Sequence, residues 1–283
     1  MSDELSETRP TVDRARSFGS VADAYDRGRP SYPDEAVTWL TGGEAKVVLE
    51  LGAGTGKLTR QLVDAGHAVF ATDPDEAMLE VLRERVPEVS ARTATAEDIP
   101  ANDRSVDVVV VAQAFHWFDH EAALPEIARI LKPGGHVALV WNSRDERIPW
   151  VRRMGDLLGR HDSNTSSSQH LVTSELFGFM EETSFKHWQE VNRDSVLDLA
   201  RSRSSYLVMD ADDQEQHLAE VRAFYDDYGR GMDGMQIPYV TRCYRAVVVD
   251  RDEQTTSGDD EPSQGGPVVS DGTDTDMLLI DFR

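Results

Sequence analysis

One carboxylate and three glycines crowd the end of a short apolar run, Val47–Leu51: they are Glu50, Gly52, Gly54 and Gly56. Glycine permits positive φ angles and close approach of a ligand to the backbone. A helical pattern begins immediately afterwards, and a helix N-terminus offers free N–H groups. In the dinucleotide fingerprint the third glycine comes one position later, and Glu50 would repel a pyrophosphate. The spacing favours a cationic ligand, with an ordinary tight βα turn as the alternative.

Strands and helices alternate five times around this turn, between Lys46 and Trp141. Such alternation predicts an α/β fold with a parallel sheet covered by helices on both faces. Ligands of these sheets bind beyond the carboxyl ends of the strands. Those ends are Glu50, Asp73, the loop after Thr93, Gln113 and Asn142.

The second half of the chain has weaker patterns. We expect strands near 186–191 and 237–250. Helices are expected near 150–159, 174–182, 194–206 and 213–228, and a polar loop over 162–169.

Composition excludes several classes of protein. The formal net charge of -23 would repel nucleic-acid phosphates, so we expect no nucleic-acid partner. The single cysteine, Cys243, allows no internal disulfide and favours a cytoplasmic location. No apolar run is long enough for a membrane span, and the eight histidines show no metal-ligand spacing. The acidity predicts adaptation to high salt, with an ordinary acidic protein from a GC-rich genome as the alternative.

Three regions are predicted along the chain. Residues 1–10 are polar and predicted to be disordered, without the apolar segment of a signal peptide. Residues 11–250 are predicted to form one catalytic domain. Residues 251–283 are rich in Asp, Ser, Thr and Gly, which predicts an acidic disordered tail.

Five strings in order resemble the class I S-adenosylmethionine-dependent methyltransferases, most closely the type 11 branch of small-molecule, trans-aconitate methyltransferase-like enzymes. The strings are LELGAGTGKLT, ATDPDEAML, ATAEDIP, VVVVAQAFHWFD and LKPGGHVALVWN. The resemblance implies a doubly wound, Rossmann-like sheet of seven strands in which only the last is antiparallel. It also implies S-adenosylmethionine as cofactor and a helical cap at about 194–234.

The resemblance assigns a cofactor role to individual positions. Glu50 and the glycine turn match the loop that holds the methionine part, and Asp73 matches the acid that accepts both ribose hydroxyls. Met78, Ala96 and Glu97 match residues around the adenine. The full set of expected cofactor contacts is Tyr25, Glu50, Gly52, Ala53, Gly54, Gly56, Asp73, Met78, Ala96, Glu97 and Gln113. Ordinary alternatives are a surface acid for Glu50 and a helix cap for Asp73.

Acceptor contacts are expected from Arg29, Trp117 and Arg144. Arg29 belongs to a lid where a guanidinium could also bind the cofactor carboxylate, and Arg144 could bind a substrate carboxylate or form a surface ion pair. An anionic carboxylate would need no general base, whereas a phenol or carbon acid would, and His116 is then the catalytic candidate. His116 could equally be a packing residue.

These residues predict methyl transfer from S-adenosylmethionine to a small-molecule acceptor by in-line displacement, in a monomer or homodimer. The rival functions are an NAD-dependent oxidoreductase on a Rossmann-like sheet and a non-catalytic cofactor-binding protein. The early third glycine and Glu50 weigh against the oxidoreductase.

Overall fold

The computed structural model describes residues 28–159, 165–228 and 234–250, and these form one seven-stranded sheet in the order β3-β2-β1-β4-β5-β7-β6. The strands are β1 Val47–Leu51, β2 Ala68–Asp73, β3 Ser90–Thr93, β4 Val106–Ala112, β5 Leu131–Arg144, β6 Phe177–Val191 and β7 Met235–Val248. Only β7 runs antiparallel to its neighbours. The predicted mostly parallel, seven-stranded α/β fold is therefore confirmed.

Helices cover both faces of the sheet. They are α1 Asp34–Thr41, α2 Lys57–Asp64, α3 Glu76–Arg85, α4 His120–Ile130, α5 Pro149–Leu158, α6 Thr165–Thr173, α7 Arg193–Arg201, α8 Ser204–Leu207 and α9 Ala211–Tyr228. A 3-10 turn, Phe115–Trp117, precedes α4. None of the helices in the described ranges has the length and apolarity needed to cross a bilayer.

The valine run of β4 explains how the core is divided. Successive strand residues point to opposite faces, so Val109 and Val111 pack with Ile127 of α4. Val108 and Val110 pack instead with the helices of the other face, α1, α2 and α3. A strand buried on both faces needs an almost unbroken apolar sequence, which is what β4 supplies.

The helices α7, α8 and α9, residues 193–228, form an insertion between β6 and β7. Asn192 and Ser195 form a capping box at the start of α7, which fixes where this helix begins. Apolar side chains of α7 and α9 pack against α5 and against Tyr239 at the start of β7. The helical insertion therefore sits on the carboxyl end of β5, beside the start of β7.

Three local predictions in this half differ from the structure. Residues 174–182 do not form a helix: α6 ends at Thr173 and β6 starts at Phe177. Pairing with β7 from Phe177↔Val248 to Val191↔Met235 decides the conformation of β6, since tertiary pairing overrides local preference. The predicted loop 162–169 overlaps α6, which begins at Thr165, and the predicted helix 194–206 is divided into α7 and α8.

Several predictions fall outside the described residues. They are the disorder of residues 1–10 and 251–283 and the position of Tyr25.

Ile127 on α4 is fully buried in the core, so Ile127→Ala leaves a cavity. We expect it to lower the free energy of unfolding by about 2–5 kcal/mol, measured by urea denaturation followed by circular dichroism. The control Val172→Ala removes an exposed side chain and should change stability by less than about 0.5 kcal/mol. Equal effects of the two substitutions would contradict this packing of α4.

Candidate cofactor and acceptor site

The glycine turn joins the carboxyl end of β1 to α2. Gly52, Gly54 and Gly56 all have positive φ, at 69°, 57° and 81°. A Cβ on Gly52 would lie 2.6 Å from the Ala114 Cβ, and one on Gly56 would lie 2.7 Å from the Leu82 Cγ. A Cβ on Gly54 would meet nothing within 4 Å. Gly52 and Gly56 are thus needed for the close packing of Ala114 and Leu82 against the turn, whereas Gly54 faces open space.

Asp73, the last residue of β2, holds this turn from the side. Its Oδ2 accepts a hydrogen bond from the Gly54 N–H at 2.8 Å, and its Oδ1 accepts one from the Asp75 N–H at 2.9 Å. The cap of α3 is Asp75, whose side chain accepts from the Ala77 N–H, so Asp73 is not the helix cap. Burial raises the pKa of Asp73 to about 6, against the lowering effect of these two hydrogen bonds.

Glu50 lies under the turn and is only 1% exposed, so it is not a surface acid. The Thr59 hydroxyl of α2 donates to Oε2 at 2.6 Å. Burial raises the pKa of Glu50 to about 8; the Thr59 hydrogen bond opposes the rise and the nearby Asp73 adds to it. A cation placed beside this carboxylate would favour its ionised form.

Residues 28–32, which we call the strap, cross the sheet end next to the turn. Gln61 of α2 binds Tyr32 twice: its Oε1 accepts from the Tyr32 N–H at 3.0 Å, and its Nε2 donates to the Tyr32 carbonyl at 2.6 Å. The Asn142 Nδ2 of β5 donates to the Ser31 carbonyl at 3.0 Å. The strap is thus bound to helices and strands that are distant in sequence.

The other end of the strap contacts the helical insertion. Arg29 donates from Nε and Nη2 to the hydroxyl and carbonyl of Ser202, both at 3.1 Å. The Gln189 Nε2 of β6 donates to the Gly28 carbonyl at 2.9 Å. A Cβ on Gly28 would lie 2.5 Å from the Leu199 nitrogen, so a glycine is needed for this close approach to α7.

Gln113 follows β4 and has an unusual backbone conformation for a non-glycine residue, with φ of 59°. Its N–H donates to the Val140 carbonyl at 3.0 Å, and its Nε2 reaches the Asn142 carbonyl at 3.4 Å. Strained residues of this kind are concentrated at functional sites. Gln113 is held beside the glycine turn by the ends of β4 and β5.

These parts border an open cleft at the carboxyl end of the sheet. Its walls come from the strap, the glycine turn, α2 and the carboxyl ends of β4 and β5. The lining residues are Arg29, Pro30, Tyr32, Glu50, Gly52, Ala53, Gly54, Thr55, Lys57, Leu58, Ala112, Gln113 and Asn142.

Several predicted contacts lie away from that lining. Met78 and Ala96 are buried apolar side chains, and the Glu97 Oε1 accepts from the Asp119 N–H at the start of α4. His116 and Trp117 lie in the 3-10 turn with their ring centroids 4.7 Å apart. Their assigned roles stay predictions.

Arg144, at the end of β5, is also outside the lining and is only 4% exposed, so it does not form a surface ion pair. Its Nη2 donates to the Gly159 carbonyl at 2.8 Å and lies 3.8 Å from the Glu146 Oε1. Burial lowers the pKa of Arg144; Tyr239 and Glu146 oppose this shift, and Arg29 adds to it.

Sequence reasoning did not select several residues of the cleft. Ala112 ends β4 and lines the cleft, and the rule that selected the strand ends Gln113 and Asn142 could have selected it as well. Thr59 and Gln61 support the cleft from outside its lining and have no such signal, because their partners Glu50 and Tyr32 meet them only in the folded chain.

Comparisons with known proteins agree on one family. The type 11 family model, described as a methyltransferase domain, matches residues 49–139. An uncharacterised methyltransferase of Mycobacterium tuberculosis is 43% identical over 238 residues, covering 83% of this chain and 97% of that protein.

Solved structures show the same fold. A candidate type II methyltransferase from Anaeromyxobacter dehalogenans superposes with a TM-score of 0.57 at 25% identity, covering 77% of this chain and 97% of its own. A phosphoethanolamine N-methyltransferase of Haemonchus contortus, solved with phosphomonomethylethanolamine and S-adenosylhomocysteine, gives a TM-score of 0.51 at 17% identity. That match covers 87% of this chain and 61% of the other.

The cleft suits a nucleoside with a positively charged group, because Gly54 leaves its backbone open and two buried acids border the turn. The chain belongs to the class I S-adenosylmethionine-dependent methyltransferases. S-adenosylmethionine is its cofactor. Membership of the trans-aconitate methyltransferase-like branch stays a prediction.

Gly54→Ala should weaken binding of S-adenosylhomocysteine, since its Cβ would enter the open space of the cleft. Overpacking of about 1–3 kcal/mol corresponds to a roughly five- to hundredfold rise in Kd, measured by titration calorimetry. Gly66→Ala is a matched control, because Gly66 also has positive φ and an unoccupied Cβ position but lies beyond α2. If both variants bound the nucleoside equally well, this assignment of the Gly54 surface would be wrong.

The Glu50 pKa predicts proton-linked binding. With a pKa of about 8, Glu50 is mostly protonated at pH 7 and must release a proton when a cationic ligand favours the carboxylate. Affinity for S-adenosylmethionine should therefore fall as pH decreases from 8 to 6. Calorimetry at pH 7 in buffers of different ionisation enthalpy would count the released protons, and Glu50→Gln should release fewer. The same proton count in both proteins would refute the linkage.

Proposed function

We propose that this methyltransferase acts on a small-molecule acceptor that reaches the cleft beneath the strap and the helical insertion. The observation that supports this most is the cleft itself, with Glu50 and Asp73 beside the glycine turn and Gln113 and Asn142 at its other wall. Since Arg29 and Gln189 tie the strap to the insertion and the sheet, a bulky acceptor would have to displace several hydrogen bonds.

Nucleic acid is a poor candidate acceptor on electrostatic grounds. The net charge of -23 would repel a phosphate backbone. We therefore propose an acceptor that is not a nucleic acid.

Side chains in and beside the cleft support the proposed cofactor contacts. Bound S-adenosylmethionine supplies a methyl group made electrophilic by the sulfonium. Glu50 provides a negative charge for the amino or sulfonium group, and Asp73 provides oxygens for the ribose hydroxyls. Arg29, on the strap, is placed to bind a carboxylate of the cofactor or of the acceptor.

The remaining assignments follow the family resemblance. Met78, Ala96 and Glu97 are proposed to surround the adenine, and Tyr25 to act with the strap. Gln113 is proposed to position the reacting groups, because its strained backbone directs it into the cleft wall. Alignment of the acceptor with the methyl group is then the main task of the protein.

A proton acceptor is required only if the acceptor reacts from a neutral hydroxyl or a carbon acid. His116 is the proposed base in that case, with Trp117 beside it. A carboxylate acceptor would already be anionic and would not use His116.

We further propose that the protein works in the cytoplasm, as a monomer or homodimer. Its single cysteine, Cys243, is a buried free thiol whose pKa is raised by burial to about 12, which suits a structural role. The high-salt interpretation of the acidic surface stays a proposal of the same kind.

Release of S-adenosylhomocysteine tests the function directly. We expect turnover with members of a small-molecule acceptor library and none with tRNA, duplex DNA or a peptide library. Turnover that needs a macromolecule, with every small molecule inert, would overturn the proposal.

Asp73→Asn should raise the Kd for S-adenosylhomocysteine about ten- to hundredfold, because hydrogen bonds to a charged acceptor contribute about 1.5–3 kcal/mol. Asp107→Asn is the matched control: Asp107 also accepts a backbone N–H, from Val47 at 2.8 Å, but at the opposite end of β1. An equal loss of affinity in both variants would point to a general effect on the sheet and contradict a direct role of Asp73 in binding.

A further inference from the structure

The seven-stranded sheet has one long edge, which is formed by β6. The opposite edge is β3, with only 4 residues, whereas β6 extends over 15 residues, Phe177–Val191. β7 pairs with one side of β6, and no strand among residues 28–159, 165–228 and 234–250 pairs with the other. A long edge with free backbone N–H and C=O groups is a template for pairing with a further strand.

Side chains of β6 leave one face of this edge open. Trp188 is 60% exposed and Phe179 is 90% exposed. Because side chains alternate between the two faces of a strand, Glu182, Ser184, Lys186 and Trp188 share one face, and all of them are exposed. The side chains between them are partly buried, on the side of the sheet that α1 covers. β6 therefore presents an open face together with an open edge.

The charges of the open face are complementary to themselves. Glu182 and Lys186 lie symmetrically on either side of Ser184. If a second copy of β6 pairs antiparallel about a two-fold axis at Ser184, Lys186 of each copy lies opposite Glu182 of the other, so the ion pair forms twice. The same register sets the exposed Trp188 against Met180 of the other copy, also twice. Side chains that are directly opposed across antiparallel strands are close enough to interact.

Other symmetric registers are less favourable. In an antiparallel pair, opposed residues direct their backbone N–H and C=O groups either toward each other or away, so the axis has to pass between one residue and its own copy. An axis at Glu182 or Lys186 would oppose like charges, and an axis at Thr183 or Phe185 would set Lys186 against an uncharged side chain. Charges on an edge strand ordinarily discourage pairing, whereas the axis at Ser184 converts Glu182 and Lys186 into ion pairs.

The symmetric stretch lies within the regular part of β6. The register against β7 shifts between Phe177 and Met180 and is continuous from Met180 onward, so the stretch from Met180 to Trp188 is a regular strand about 27 Å long. Its remaining acid, Glu181, points to the other face and is already bound, since Arg245 donates to its Oε2 from Nε at 3.0 Å and from Nη2 at 2.6 Å.

We propose that the protein forms a homodimer in which the β6 strands of two copies pair antiparallel about Ser184 and join the two sheets into one. The net charge of -23 opposes association in general, so the local ion pairs and the covering of Trp188 determine which surfaces meet. Edge pairing buries less surface than a standard interface, and the Kd of the dimer should therefore lie in the micromolar range. The pairing is independent of which acceptor the protein methylates.

Sedimentation equilibrium of the full chain over a range of concentrations measures the dimer. Lys186→Glu places like charges opposite each other and should raise the Kd of the dimer at least about tenfold. Arg222→Glu is the matched control, because Arg222 is exposed on α9, outside β6, and its replacement changes the net charge by the same amount. This control should leave the Kd of the dimer unchanged.

An exchange of the two charges tests the register. The double variant Glu182→Lys with Lys186→Glu restores opposite charges across the axis and should return the Kd of the dimer to within about threefold of the wild type. Trp188→Ala removes the side chain that covers Met180 and should raise this Kd about tenfold. The exchange also removes the hydrogen bond between Glu182 and Tyr244, so the Kd for S-adenosylhomocysteine is measured on every variant to verify folding.

Each outcome bears on the proposal. A wild-type chain that stays monomeric overturns it, whether the edge is open or is paired by residues 251–283 of the same chain. Equal losses in Lys186→Glu and Arg222→Glu would assign the effect to overall charge and overturn it as well. A dimer that neither Lys186→Glu nor Trp188→Ala weakens uses another surface. If the exchanged variant binds the nucleoside but stays monomeric, pairing about Ser184 is wrong.

Discussion

A buried carboxylate must be surrounded by hydrogen-bond donors, and the Asp73 side chain meets this demand with two backbone N–H groups. One of them belongs to Gly54, so the end of β2 holds the glycine turn after β1 in place. The same constraint applies to Glu50, which the Thr59 hydroxyl binds from α2. Burial raises the pKa of both acids, and Asp73 raises that of Glu50 further; binding of a cation beside them would relieve that cost. The proposed cofactor site depends on this arrangement.

The second half of the site comes from elements that only tertiary contacts bring together. The strap is bound by α2, β5, β6 and the residue after α7, so it joins the cofactor cleft to the helical insertion. Asn142 of β5 lines the cleft, and Arg144 lies two residues further along β5, outside that lining and opposite Tyr239.

Much of the first half could be predicted from the sequence because its signals are local. The valines of β4 require burial on both faces, and the glycines of the turn require positive φ. The region after Trp141 lacks such signals. Residues 174–182 combine apolar and acidic side chains at helical spacing, yet from Phe177 onward they belong to the edge strand β6, which pairs with β7. Glu97 is a further example. The sequence predicts the loop that carries it, but not the hydrogen bond that its side chain accepts from the Asp119 N–H.

The sequence by itself determined the order of strands and helices through Trp141 and the carboxyl ends where a ligand binds, since both follow from short-range patterning and the handedness of crossovers. Only the tertiary structure decided that Glu50 and Arg144 are buried and that Gln61 holds the strap. Burial and hydrogen-bond pairing depend on groups far apart in the chain. Asn142 reaches Ser31 across 111 residues, a distance over which local sequence carries no information about contact.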